Sequence, residues 1–202
     1  WAIPIQLGDS LDGFPVMGTS VDFFKHYRSA GQALSFQSGQ AFQDPQMHPT
    51  ALMQVVIGSE VAKSKNAKLK DNFALTHGYQ AIEETVHSDH PFELVGILKP
   101  TGTPLDRSVL ISLEAFESLH VGWGMGLRPS AFDTQANAQK DLPNVAELTP
   151  SELTAVWVGL HSRATVFSVR KAIESLKPNA SALPPMAVLP GVALDELWQI
   201  VR

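Results

Sequence analysis

The sequence contains no cysteine. Without thiols the chain has no disulfide, no cysteine nucleophile and no cysteine-ligated zinc site. It also has fewer basic than acidic residues, 15 Lys and Arg against 20 Asp and Glu, and its net charge is -5. A nucleic-acid surface needs a concentrated excess of basic side chains, so we expect neither DNA nor RNA as a partner.

Long apolar runs are missing as well. No stretch approaches the roughly 20 consecutive apolar residues of a membrane-spanning helix, so this sequence is not expected to cross a bilayer. The 44% of hydrophobic and 17% of charged residues over 202 positions are typical of a folded domain with a substantial core. The first residue is Trp1, which favours a processed end or a domain boundary.

The clearest pattern lies at residues 91–120. The run FELVGIL at 92–98 alternates between two prolines and predicts a mostly buried strand inside a sheet. The following TGTP predicts a tight turn, beside which Asp106 and Arg107 are expected to form a structural ion pair. An apolar run at 109–112 predicts a second strand, and Ser112 is placed to cap a short helix.

Elsewhere the periodicity is more scattered. Further strands are predicted at 2–7, 14–17, 53–57, 72–76, 153–160 and 186–189. Further helices are predicted at 21–27, from Ser59 onwards, at 164–176 and at 194–201. Residues 29–50, 78–89 and 130–150 lack a clear period and are predicted as loops.

The strand, turn, strand and helix of 91–120 resemble part of the extracytoplasmic domain of ABC-transporter permeases of the MacB and FtsX class. Three further stretches match such permeases in the same order. They are GDS at 8–10 with VMGT at 16–19, VIGSEVA at 56–62, and LPG at 189–191 with Leu194 and the pair LW at 197–198. The likeness is spread along most of the chain, and the order of the motifs carries it.

This resemblance implies an α+β fold like the MacB periplasmic core. Residues 1–52 and 108–202 would form a split β-α-β, porter-like layer, and residues 53–107 a smaller mixed subdomain inserted into it. The implied function is noncatalytic: a domain on the periplasmic side of the bacterial inner membrane, between membrane helices. The implied partners are a cytoplasmic ABC ATPase, a second permease copy and a periplasmic partner or substrate, with no cofactor in the domain.

Under this resemblance Trp1 and Trp198 would lie near membrane interfaces, where tryptophan is enriched. Composition alone favours the alternative that both indoles pack in the core. The sequence leaves both interpretations open.

A polar histidine cluster supplies a different candidate site. His77, His87, Asp89 and His90 lie in or beside one predicted loop, and imidazole and carboxylate groups are good ligands for zinc. The spacing matches no standard metal motif, so a solvated histidine loop is the alternative. If the cluster binds an ion or a small molecule, the chain is a periplasmic ligand-binding module.

Signals for catalysis are weak. Ser10, Ser59 and Ser112 lie outside any G-x-S-x-G elbow, and a serine that starts a helix is commonly a cap. No G-x-x-x-x-G-K-[ST] motif is present, and the glycines at 122, 124 and 126 do not follow a strand and open a helix. Hydrolase and ATPase activities are therefore not expected.

Overall fold

The computed structural model describes residues 1–74, 76–77, 91–120, 144–150, 152–176 and 185–201. The strands are β1 (Ala2–Leu11), β2 (Phe14–Thr19), β3 (Arg28–Ser29), β4 (Gln32–Ala33), β5 (Phe36–Gly39), β6 (Gln54–Ile57), β7 (Asn72–Phe73), β8 (Thr76–His77), β9 (Phe92–Leu98), β10 (Val109–Ser112) and β11 (Ala155–Val158). The helices are α1 (Asp22–His26), α2 (Ser59–Lys65), α3 (Leu113–His120), α4 (Val166–Glu174) and α5 (Pro190–Val201). Within these ranges, none of the helices has the length and apolar character needed to span a membrane.

One mixed sheet organises most of the chain. Its strand order is β11-β1-β2-β10-β6-β9-β5, while β7 pairs with β9 and β8 pairs with β1. The β1–β2 hairpin is antiparallel, but β2 runs parallel to β10, and β6 runs parallel to β9. A mixed sheet with helices confirms the predicted α+β class.

The strand predicted at 92–98 is confirmed as β9. It pairs with β6 on one side and with β5 and β7 on the other, so it lies inside the sheet. Phe92, Leu94 and Leu98 are fully buried. At Gly96 a Cβ atom would lie 2.1 Å from the Gln40 carbonyl oxygen, which explains why this buried position has no side chain.

The next two predicted elements are also confirmed. Strand β10 lies between β2 and β6 and is buried along its whole length. Ser112 ends it, and its Oγ accepts a hydrogen bond of 3.0 Å from the Ala115 amide. Because this bond satisfies an amide that has no partner within the helix, Ser112 is the N-cap of α3, as predicted.

Hydrophobic side chains cover both faces of the sheet. On one face α2 and α3 contribute Val61, Ala115, Phe116 and Leu119 to a core cluster. On the other face Phe23 of α1 packs with residues such as Val56 and Leu110. Alternation along β6 and β10 sends successive side chains to opposite clusters, so the central strands are buried on both faces.

Two local expectations are wrong. The stretch 29–50, predicted as a loop, contains β4 and β5, and β3 ends at its first residue. Residues 186–189, predicted as a strand, form neither strand nor helix, and α5 begins directly after them. These short segments carry little periodicity of their own, and strand formation depends on a partner distant in sequence.

The chain divides into two compact units. The sheet unit is residues 2–157; the terminal unit is Trp1 together with residues 158–202. The division predicted from the sequence, with 53–107 inserted between 1–52 and 108–202, stays a prediction. In the observed sheet, β6 and β9 from the predicted insert lie beside β10 and β5 from the rest of the chain.

Candidate functional site

The predicted histidine cluster lies mostly outside the described residues. The backbone of His77 belongs to β8, which sets it opposite Asp9 of β1 in the antiparallel register. His87, Asp89 and His90 lie outside the described ranges. Among the residues that are described, no group of three or more His, Asp or Glu side chains could hold a metal ion. The zinc site therefore stays a prediction.

The turn after β9 is built around the carboxylate of Asp106. Its Oδ1 accepts hydrogen bonds from the Thr101 amide at 2.7 Å and the Thr101 hydroxyl at 2.9 Å. Its Oδ2 accepts one from the Gly102 amide at 2.8 Å. Burial raises the pKa of Asp106, but hydrogen bonds from Thr101, Gly102 and Ser59 lower it, and the pKa lies below its ordinary value. This carboxylate closes the turn.

The expected ion pair between Asp106 and Arg107 is wrong. Asp106 bonds to backbone amides and hydroxyls, whereas the Arg107 guanidinium lies 3.6 Å from Glu60 and 5.6 Å from the centre of the Phe14 ring. The amides of a tight turn compete for the carboxylate at short range. Charges adjacent in sequence therefore need not pair.

The same turn is joined to the segment after α1. The Tyr27 hydroxyl lies 3.1 Å from the Thr103 Oγ1, and the Ser29 hydroxyl donates to the Thr101 carbonyl at 2.8 Å. Thr101 and Thr103 also join their hydroxyls at 2.7 Å. These polar groups satisfy one another, which is the arrangement of a structural brace.

Two of the three candidate serines have structural roles. Ser59 donates its hydroxyl hydrogen to Asp106, and Ser112 caps α3. Ser10 lies in β1 and is buried. In both Ser59 and Ser112 the hydroxyl group takes part in a hydrogen bond that stabilises the fold, so neither hydroxyl is placed as a nucleophile.

The terminal unit brings the first residue next to the segment after β11. The Trp1 amino group donates to the Gly159 carbonyl at 3.2 Å, and the Gly159 amide donates to the Trp1 carbonyl at 2.9 Å. A Cβ atom at Gly159 would lie 2.0 Å from the Trp1 indole. Only glycine allows this close approach of ring and backbone.

The terminal unit also exposes many large apolar side chains, which sequence reasoning left unresolved. Trp1 is 49% exposed and Trp198 is 68% exposed, so the interpretation that both indoles pack in the core is wrong. Other exposed apolar residues of the unit are Leu160, Phe167, Leu176, Met186, Val188, Val192, Leu194, Leu197 and Ile200. These side chains form the exposed apolar part of the terminal unit. We call it the terminal apolar surface.

Solved structures that are similar to this chain include three from bacteria. The extracellular domain of the noncanonical ABC-type transporter YknZ from Gram-positive bacteria matches with a TM-score of 0.38 and 14% identity, over 67% of this chain and 68% of that one. The periplasmic region of MacB from Actinobacillus actinomycetemcomitans matches with a TM-score of 0.35 and 10% identity, over 55% and 47%. A domain of a proposed permease from Porphyromonas gingivalis matches with a TM-score of 0.34 and 12% identity, over 55% and 44%.

Other comparisons are negative: no family model and no curated protein matches the chain.

Proposed function

We propose that the chain is a noncatalytic extracytoplasmic domain of an ABC-transporter permease. It lies on the periplasmic side of a bacterial inner membrane and couples a cytoplasmic ATPase to substrate export or mechanical signalling. Its partners are that ATPase, a second permease copy and a periplasmic protein or substrate. The domain itself needs no cofactor.

One observation carries the proposal. Trp1 exchanges two backbone hydrogen bonds with Gly159, and both belong to the terminal unit, while residues 2–157 form a separate sheet unit. These two bonds fix the first residue to the segment after β11, which suits a body whose parts move together under force. Two compact units provide the parts of a lever that shifts between arrangements.

The braced turn at 101–106 supports the same function. A mechanical domain must transmit displacement without local unfolding. Asp106, Thr101 and Thr103 join the β9–β10 connection to Tyr27, so two distant parts of the sheet unit move together. A packed network whose polar groups are all hydrogen-bonded does not deform continuously, so it transmits small displacements.

The absence of cysteine makes the location directly testable. In intact spheroplasts that express the parent protein without its other cysteines, the exposed Gln32→Cys variant should react with a membrane-impermeant maleimide. The matched control, Leu94→Cys, places the thiol at a fully buried position and should react only after unfolding. If Gln32→Cys reacts only after the membrane is permeabilised, the domain is cytoplasmic and the proposal fails.

A second candidate function is a periplasmic module that binds zinc or a small ligand. It is favoured by His77, His87, Asp89 and His90, and by the register that sets His77 opposite the buried Asp9. Calorimetric titration of the 202-residue chain with zinc should give one ion per chain. The signal should disappear in the His87→Ala/His90→Ala double variant; no heat at micromolar zinc rejects the site.

A further inference from the structure

A small recess with a volume of about 210 Å³ lies between helix α2 and the edge of the sheet. One wall is a face of α2, where Ser59, Ala62 and Lys63 follow the i, i+3, i+4 spacing. Asn66, which caps the C-terminal end of α2, continues this wall. Residues of β5 and β9 also line the recess, so a helix and two strands of the sheet unit position its side chains.

A β-bulge in β5 lies at this recess. In the antiparallel register of β5 and β9, Phe36 is paired with Leu98. Ser38 is paired with Ile97, the residue directly before Leu98, so Gln37 is an extra residue without a partner in the ladder. Bulges redirect side chains and are frequent at sheet edges and beside functional sites. Gln37 and Ile97 both line the recess.

Three polar side chains of the lining can contact a ligand. Lys63 carries an ammonium group, which is a positively charged hydrogen-bond donor. Gln37 and Asn66 carry carboxamides, which both donate and accept hydrogen bonds. Within the described ranges none of these three side chains makes a hydrogen bond or an ion pair, so their donors and acceptors are available.

The rest of the lining is apolar or already hydrogen-bonded. Ile97 is 5% exposed, and Ala62 and Ala67 are half-buried. The Ser59 hydroxyl donates to Asp106 and is therefore engaged within the fold. The recess combines one cation, two carboxamides and a short apolar surface.

We propose that this recess binds a small carboxylate that carries a second hydrogen-bonding group. The carboxylate pairs with the Lys63 ammonium, the carboxamides of Gln37 and Asn66 bond to the second polar group, and a short aliphatic part contacts the alanines. The volume of about 210 Å³ is below the roughly 300–1,000 Å³ of sites for drug-sized ligands. The ligand is therefore a free small acid or the carboxyl-terminal residue of a peptide, which present the same chemistry. This site does not rest on the proposed permease function.

The test is a titration of the isotope-labelled 202-residue chain, followed by its amide signals in NMR spectra. Lactate represents a free acid, N-acetylalanine represents a peptide terminus, and N-acetylalaninamide is the uncharged control. At least one of the two carboxylates should shift the amide signals of Ala62, Ala67 and Ile97 saturably. N-acetylalaninamide should bind at least about tenfold more weakly than N-acetylalanine, because it cannot bond to the ammonium as an anion. Binding of lactate alone identifies a free acid, and binding of N-acetylalanine alone identifies a peptide terminus.

Substitutions that change the charge by the same amount locate the site. Lys63→Gln should weaken carboxylate binding at least about tenfold. Lys68→Gln is the matched control: this lysine is also exposed but lies outside the lining, so the variant should bind as the unchanged chain does. Asn66→Gly removes a carboxamide at a position with a φ of 49°, which glycine accommodates, and should weaken binding about fivefold. Unchanged amide signals of the sheet core show that each variant is folded.

Three results overturn the inference. One is the absence of saturable shifts with both lactate and N-acetylalanine. Another is equal binding of N-acetylalanine and N-acetylalaninamide, since the ammonium group then has no role. The third is equal weakening by Lys63→Gln and Lys68→Gln, which indicates a general effect of charge. External labelling of Gln32→Cys tests the permease proposal separately, and its result is independent of these three.

Discussion

At the scale of single residues, the helix cap at Ser112 could be predicted from the sequence, whereas the hydrogen-bond partners of Asp106 in the braced turn could not. Ser112 was predictable as a helix cap, because a cap is read from the residues immediately beside it. The partners of Asp106 were not, because they are backbone amides of a turn whose conformation the sequence does not state. A local charge pattern indicates that a carboxylate has a partner and leaves open which one.

Substitution of Asp106 tests the brace. In Asp106→Asn one amide oxygen replaces the two carboxylate oxygens that now accept hydrogen bonds from Thr101 and Gly102. The free energy of unfolding, measured by urea titration at neutral pH, should fall by about 1–3 kcal/mol. The half-exposed Asp22, bonded to Lys25, is the control, and Asp22→Asn should cost under about 0.5 kcal/mol. Equal effects of the two substitutions would contradict the assignment.

The same carboxylate makes a prediction about pH. The folded-state pKa of Asp106 lies below 3.8, so the ionised group stabilises the fold above that value and loses its contribution as pH falls through the folded-state pKa. The stability difference between the unchanged chain and Asp106→Asn should be constant from neutral pH to about 5 and shrink below 3.8. A difference that grows on acidification would show the opposite shift.

Close backbone approach gives a third prediction. Gly96→Ala places a Cβ atom against the Gln40 carbonyl oxygen and should destabilise the chain by more than about 2 kcal/mol. Gly191 lies in α5, and no described atom lies within 4 Å of the place that a Cβ would take there, so Gly191→Ala should be neutral or slightly stabilising. Thermal midpoints of both variants measure the contrast.

At the scale of elements, the strongly patterned segments were predictable. The alternation of β9, the apolar run of β10 and the spacing of α3 are local features with local causes. The short strands β4 and β5 were missed, since their stability comes from β3 and β9 and not from their own residues. The strand predicted at 186–189 failed for the converse reason: an apolar run without a partner strand forms no ladder.

The cap of α3 carries the prediction at this scale. Ser112→Ala removes the side-chain acceptor of the Ala115 amide and should lower stability by about 1 kcal/mol. Ser118→Ala, on the same helix, is the control. It removes the hydrogen bond that the Ser118 hydroxyl donates to the Ala115 carbonyl, and this bond does not satisfy an amide at the start of the helix. Its effect should be within about 0.5 kcal/mol. Urea unfolding of both variants measures the difference.

At the scale of the whole molecule, sequence reasoning gave the α+β class but not the strand order. The arrangement β2-β10-β6-β9 brings together residues far apart in the chain, and no local pattern encodes which buried strand lies beside which. The terminal apolar surface was missed because apolar spacing predicts a helix face without telling whether the protein covers it.

The central claim is that an ATPase moves this domain. Fluorescent labels at Gln32→Cys in the sheet unit and Leu194→Cys in the terminal unit, both exposed, report the distance between the units in the reconstituted parent protein. The account predicts that energy transfer between the labels changes when the ATPase binds ATP and returns after hydrolysis. Energy transfer that stays the same with ATP, with ADP and without nucleotide would contradict it.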